Sequence, residues 1–230
     1  MKLPTGFDTA KKYTTKSRCG GDRAGRTKKM TFNTTIIENI INEPSPHLYS
    51  RQGQFPDMIC CHQTGDTMER TRFWFKDPDS GIAAHFGIAK DGTIYRFLPV
   101  MAAGCICKTT YKSEDRYHSN YYSKSSNTLV RNRRTNADFY TVSVIFENER
   151  TCQLTQEQYN SGIELFRYLI CLCRKEYGVE FPIDREHIIG HYEVSPVEKA
   201  NCPGLDFPFS RFIFDLQTYD RNSTWGAKKA

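Results

Sequence analysis

The chain has 230 residues, of which 38% are hydrophobic and 25% charged, and carries a net charge of +6. These are the proportions of an ordinary soluble globular protein with room for one good core. No apolar run approaches the about eighteen residues a bilayer span needs, which excludes a membrane-spanning helix. Residues 1–30 hold nine Lys/Arg against Asp8 and Asp22, a net +7 that leaves the remaining 200 residues at −1. This segment lacks apolar periodicity and aromatic interleaving. It reads as a basic, poorly ordered tail able to meet anionic polymers through plain electrostatics, with no specific nucleic-acid motif. Met1–Gly6 has a lysine but no apolar stretch behind it, so the expectation is a chain without a Sec signal peptide.

In chain order, Asn33–Asn42 places Ile36/Ile37 and Ile40/Ile41 three to four apart, which suits a short helix or strand at the domain edge. Pro44 and Pro46 break it. Asp57–Cys61 is apolar on both faces and predicts a strand in the sheet interior. Ala84–Ala89 and Thr93–Leu98 flank Lys90-Asp91-Gly92, a hairpin for which Asp-Gly predicts a type I′ turn. Residues 105–140 are polar with little periodicity and are expected to wall a binding groove. Val142–Glu147 is the next strand. Thr155 and Gln158 form a capping box, and Tyr159, Ile163, Phe166, Ile170, Cys173 and Tyr177 follow at helical spacing up to Gly178. Glu186–Gly190 is a short strand and Asp206–Leu216 a final helix, with a polar tail over 217–230. The order implies one α/β domain over 31–216, with a central mixed β-sheet flanked by helices.

Nine cysteines are many for this length, and the number is odd. A disulfide framework needs an exported chain. Cys60, Cys61, Cys171 and Cys173 instead fall within strand and helix patterns, where cysteine packs as a small hydrophobe. The C-x-C pair Cys105 and Cys107 reads as two incidental thiols in preference to a second metal or redox pair.

Chemistry concentrates between Gly190 and Gly204, G-H-Y-E-V-S-P-V-E-K-A-N-C-P-G. It sets an imidazole (His191), a thiol (Cys202) and an ammonium (Lys199) within fifteen residues. Imidazole and thiolate are the ligands Zn²⁺ prefers, and catalytic zinc sites use three protein ligands. The third candidate is His62, directly after the apolar strand Met58–Cys61, where a rigid base would aim the ring.

His62-Gln63-Thr64, Ala84-His85-Phe86, Lys90-Asp91-Gly92-Thr93-Ile94-Tyr95, Tyr140-Thr141-Val142-Ser143, Gly190-His191 and Lys199-Ala200-Asn201-Cys202-Pro203-Gly204 occur in that order. From about Ile36 to Leu216 the chain resembles the zinc N-acetylmuramoyl-L-alanine amidases of the type-2 family. Phage endolysins and the peptidoglycan-recognition proteins also belong to that family. The resemblance implies an α/β fold with zinc at one rim of the sheet, His62, His191 and Cys202 as its ligands, and peptidoglycan as substrate. It assigns Lys199 to the oxyanion of the intermediate. It also implies a protein held in the cytoplasm until released, then acting on the cell wall. Two positions depart from the family. Relatives read T-V-S-I-E-F-E, the first glutamate acting as base. Here that slot holds Ile145, so Glu147, two residues on, becomes the candidate substitute. Ala102-Ala103-Gly104-Cys105 lacks the tryptophan that relatives often carry. His85 reads as a residue that supports the ligands from behind or is purely structural, and not as a ligand itself. The missing base keeps open a non-catalytic muropeptide-binding reading, whereas Cys202 favours the enzyme.

Overall fold

A computed structural model describes residues 39–109, 122–148 and 153–224. The basic segment 1–30, residues 33–38 of the first isoleucine stretch and residues 110–121 of the polar stretch lie outside them. Six strands form one mixed sheet: β1 (Ile41–Asn42), β2 (Met58–Gln63), β3 (Phe86–Ile88), β4 (Ile94–Arg96), β5 (Thr141–Phe146) and β6 (Ile188–Gly190), in the order β1-β4-β3-β5-β2-β6. Only β3 and β4 run antiparallel; β1 joins β4, and β3, β5, β2 and β6 join one another, in parallel.

Parallel strands at a sheet's centre are covered on both faces, which is why β2 and β5 are apolar throughout. Alternate residues serve different cores. Ile59, Cys61, Val142, Val144 and Phe146 pack with Phe166, Leu169 and Phe212, from helices α3 (Gln156–Tyr177) and α5 (Phe209–Thr224). Met58, Cys60, Ile145 and Ile189 face Met68 and Phe75 of α1 (Met68–Lys76), together with Val130 of α2 (Thr128–Arg133). Phe146 sits edge-on to Phe207 at a centroid distance of 5.1 Å, and Phe207 stacks on Phe212 at 5.5 Å. This aromatic cluster locks α5 to the sheet.

The long helix forms as its sequence predicts. Thr155 caps it with Gln158 reaching back, and Gly178 ends it at φ +64°. Other elements differ from expectation. The hairpin turn has a positive φ only at Gly92, so it is a type I turn closed by a left-handed glycine rather than type I′. A Cβ on Gly92 would lie 2.8 Å from the Ser161 hydroxyl and 3.0 Å from the Glu157 carbonyl, since the loop docks on α3. The last helix starts at Phe209 and continues to Thr224 instead of ending at Leu216. Two contacts hold its later turns: Gln217 donates to the Ile183 carbonyl at 2.7 Å, and the Arg167 guanidinium lies 3.9 Å from the Tyr219 ring. Helix α1 was not expected. Its buried stripe is Met68, Thr71 and Phe75, while Phe73 and Trp74 are exposed, which blurs the apolar periodicity. Among the described residues no helix is long and apolar enough to cross a membrane.

Candidate metal centre

The site lies at the carboxyl ends of β2 and β6, where open α/β sheets leave a crevice for ligands. His62 is the fifth residue of β2, and His191 follows directly on β6 as the first residue of the short helix α4 (His191–Val194). Gly190 makes that turn possible. A Cβ there would meet the Tyr192 ring at 2.6 Å and Pro203 at 2.9 Å. The return to Cys202 is a relay of backbone bonds: Ser195 N–H to His191 O at 2.8 Å, Lys199 N–H to Ser195 O at 2.9 Å, and Cys202 N–H to Lys199 O at 2.9 Å. Tyr192 N–H then donates to Cys202 O at 2.8 Å, and Gln63 N–H to Cys202 Sγ at 3.4 Å. Glu193 clamps the base, accepting from Gly190 N–H at 2.8 Å and from Arg185 Nη2 at 2.6 Å.

The result brings His62, His191 and Cys202 together, with one ligand atom from each within 4.8 Å of the others. The Nδ1 atoms of the two rings are 3.0 Å apart, and neither Nε2 has a partner among the described residues. Two nitrogens on one tetrahedral zinc, each about 2.0–2.1 Å from it, are about 3.3–3.4 Å apart. The donor set and spacing therefore fit zinc. Burial, then His191, then Lys199 push His62 well below the ordinary imidazole range. Burial and Lys199 push His191 down to about 3, opposed by the Cys107 carbonyl. Both rings are thus neutral at neutral pH, the form a metal requires. Lys199 is exposed at the rim, and its ammonium acts on both rings.

Glu147 is engaged elsewhere. Its Oε1 accepts from Met68 N–H at 3.1 Å, at the start of α1, and its Oε2 from Lys90 N–H at 2.8 Å in the hairpin. Ile145 is the register partner of His62 and is 5% exposed. His85 is fully buried and bonded elsewhere than to the two ligand rings. Its Nδ1 accepts from Ser143 N–H at 3.0 Å, so Nε2 carries the proton and donates to Ala102 O at 2.9 Å. Burial and the nearby Arg51 hold it down to about 3.

Sequence reasoning missed the polar network beneath the site. Arg51, 5% exposed, donates to the carbonyls of Val100, Asp138, Phe139 and Thr141 at 2.9–3.3 Å. Asp138, fully buried, accepts from Ile106, Cys107 and Lys108 N–H and from the Tyr49 hydroxyl. These residues are far apart in sequence, and no local pattern joins them. The network fixes Cys107, whose sulfur enters a second cluster with Cys60 and His62, again within 4.8 Å. Cys105 turns away and donates to Gly81 O at 3.0 Å, so the two thiols of the C-x-C do not act as a pair.

Solved structures share this fold. A crystal structure of a Se-Met AmpD derivative matches with a TM-score of 0.54 and 19% identity, over 80% of this chain and 97% of that one. A mutant structure of PlyL matches at 0.51 and 12%, over 78% and 98%. The endolysin N-acetylmuramoyl-L-alanine amidase LysCS from Clostridium intestinale is 25% identical over 77% of this chain and 95% of that one, with a TM-score of 0.45. No curated protein matches the sequence significantly. Residues 52–205 match the N-acetylmuramoyl-L-alanine amidase family, and the chain belongs to it.

Proposed function

We propose that this protein is a zinc-dependent peptidoglycan hydrolase that cleaves the amide between N-acetylmuramic acid and L-alanine, acting at the bacterial cell wall. The observation that carries the reading is the convergence of His62, His191 and Cys202 at the carboxyl end of the sheet. A zinc ion in such a set supplies a nucleophile at neutral pH and polarises a carbonyl oxygen. The chain's own residues do the rest. The two imidazoles stay neutral because they are buried. Gln63 N–H holds the Cys202 sulfur in place. Lys199 offers a cation to the oxyanion of the cleaved amide, a role typically contributing about 3–4 kcal/mol. Glu147 is the nearest candidate for proton transfer along this stretch of chain, although both its oxygens serve backbone donors.

Incubation with purified peptidoglycan, followed by mass spectrometry, should release free stem peptides beginning with L-alanine. Elemental analysis should show bound zinc, and His62→Ala and Cys202→Ser should each lower the amount held. Zinc-loaded protein that releases no such peptide would sink the reading.

The second reading is a muropeptide-binding protein without activity. Ile145 favours it, because a buried isoleucine beside His62 cannot transfer a proton. Binding of soluble muropeptides with full zinc occupancy and no cleavage would select it.

A further inference from the structure

We propose that Cys60, Cys107 and His62 form a second, buried site for a soft d¹⁰ cation, zinc or copper(I), with His62 shared between the two sites. The three residues offer ligand atoms within 4.8 Å of one another, and all three are buried, at 0%, 0% and 1% exposure. His62 can serve both sets because a ring has two nitrogens. Its Nδ1 faces His191 at 3.0 Å, and its Nε2 is buried with no partner among the described residues. A buried polar atom left without a partner costs about 1–3 kcal/mol and calls for an explanation. A metal on Nε2 supplies one.

Both thiols are held for the purpose. Cys60 is in the centre of β2, paired with Ser143 across β5 and on the same face as His62. Cys107 comes from a loop whose Ile106, Cys107 and Lys108 N–H groups all donate to the buried Asp138 carboxylate, at 2.9–3.2 Å. The Ser143 hydroxyl lies 3.9 Å from Cys107 Sγ, placed to donate to a thiolate, while the Thr141 hydroxyl, also at 3.9 Å, donates to the Ala137 carbonyl. Charge decides whether a dry interior tolerates the ion. Two thiolates cancel a zinc ion and leave copper(I) with a single negative charge, so no bare cation is buried. Soft sulfur ligands select these two cations. Loading releases both thiol protons and, with Nδ1 on the first ion, the remaining imidazole proton.

The assignment rests on the amidase reading only in giving Nδ1 to the other ion, and the test separates the two. Full-length protein from zinc-supplemented medium is assayed for metal per chain. Cobalt-loaded protein is then scanned for thiolate charge-transfer absorbance. Wild type should hold about two equivalents of zinc, and H191A/C202S about one, bound with the spectrum of two thiolates. C60S/C107S should hold about one with the spectrum of a single thiolate. If C60S/C107S does not fold, H191A/C202S decides alone. Copper(I) loaded anaerobically into H191A/C202S and retained through dialysis against a chelator also supports the site. A H191A/C202S protein that retains neither zinc nor copper(I) overturns the proposal, and leaves the amidase reading intact if wild type cleaves peptidoglycan. Retention there, with no cleavage by zinc-loaded wild type, removes the amidase reading and leaves this one standing.

Discussion

His62 and Ile145 are direct register partners on adjacent parallel strands, so their side chains stand side by side on one face of the sheet. The position beside the candidate metal ligand is therefore occupied by a group that neither donates nor accepts a proton. A carboxylate at 145 would stand where general-base assistance is worth about 10²–10⁴-fold. Ile145→Glu should raise the rate of amide cleavage while lowering Tm, because the site is 5% exposed and burying a carboxylate is costly. Peptide release and thermal melting on the same preparation read both effects. A folded Ile145→Glu protein with an unchanged rate would show that the missing base is not what limits cleavage by the wild-type chain.

Glu147 joins two elements through its carboxylate, the start of α1 at Met68 and the hairpin at Lys90. Glu147→Gln places an amide N–H₂ against one of two backbone donors and should cost about 1–3 kcal/mol of stability. Proton transfer and capping separate in the kinetics. A fall in kcat larger than the loss of folded protein assigns Glu147 to catalysis; a lower Tm with kcat preserved assigns it to holding α1.

Much of this architecture is legible in the sequence because it rests on local signals. The Thr155–Gln158 capping box, the stripe from Tyr159 to Cys173 and the Gly178 stop specify α3 almost to the residue. The two-sided apolar run of β2 places it centrally, and His62 and His191 stand out because each directly follows such a run. What is not legible depends on contacts distant in sequence. Arg51 and Asp138 look like surface charges until four carbonyls and three amides close around them. Cys107 reads as an incidental thiol until the Asp138 carboxylate brings its loop against Cys60. The length of α5 is set by Ile183 and Arg167, which no helical pattern within 217–224 reveals.

The edge of the sheet should be sensitive to acid. Glu43 follows β1 and accepts from Arg72 Nε of α1 at 2.8 Å, with Lys76 Nζ also 2.8 Å away. Arg72 is the main cause, with Lys76 assisting against burial, of a carboxyl held down to about 2 from 4.5. A depressed folded-state value means the stabilisation is fully present above about pH 4.5 and is lost as pH falls through about 2. Glu43→Gln should lower Tm at neutral pH, and the gap to wild type should close across that acid window. A gap that persists unchanged at pH 2 would show that the pairing contributes through packing rather than charge.

Lys199 combines exposure with influence. It lies at the open rim of the site, yet its ammonium depresses both His62 and His191. Its backbone belongs to the turn that returns the chain to Cys202, accepting from Cys202 N–H at 2.9 Å. A side-chain substitution leaves that bond intact. Lys199→Met should therefore keep the metal content and change stability by no more than about 0.5 kcal/mol, as exposed substitutions usually do. If the ammonium stabilises the developing oxyanion, kcat should fall about 10²–10³-fold with KM little changed, because the interaction exists only in the transition state. Lys199→Arg, which restores the charge with a different shape, should recover part of the loss. Steady-state kinetics on soluble muropeptides, with zinc measured on the same samples, distinguishes the possibilities. Equal rates for wild type and Lys199→Met would reduce Lys199 to a solvated turn residue. A loss of zinc in parallel with activity would instead place its role in holding the Cys202 loop.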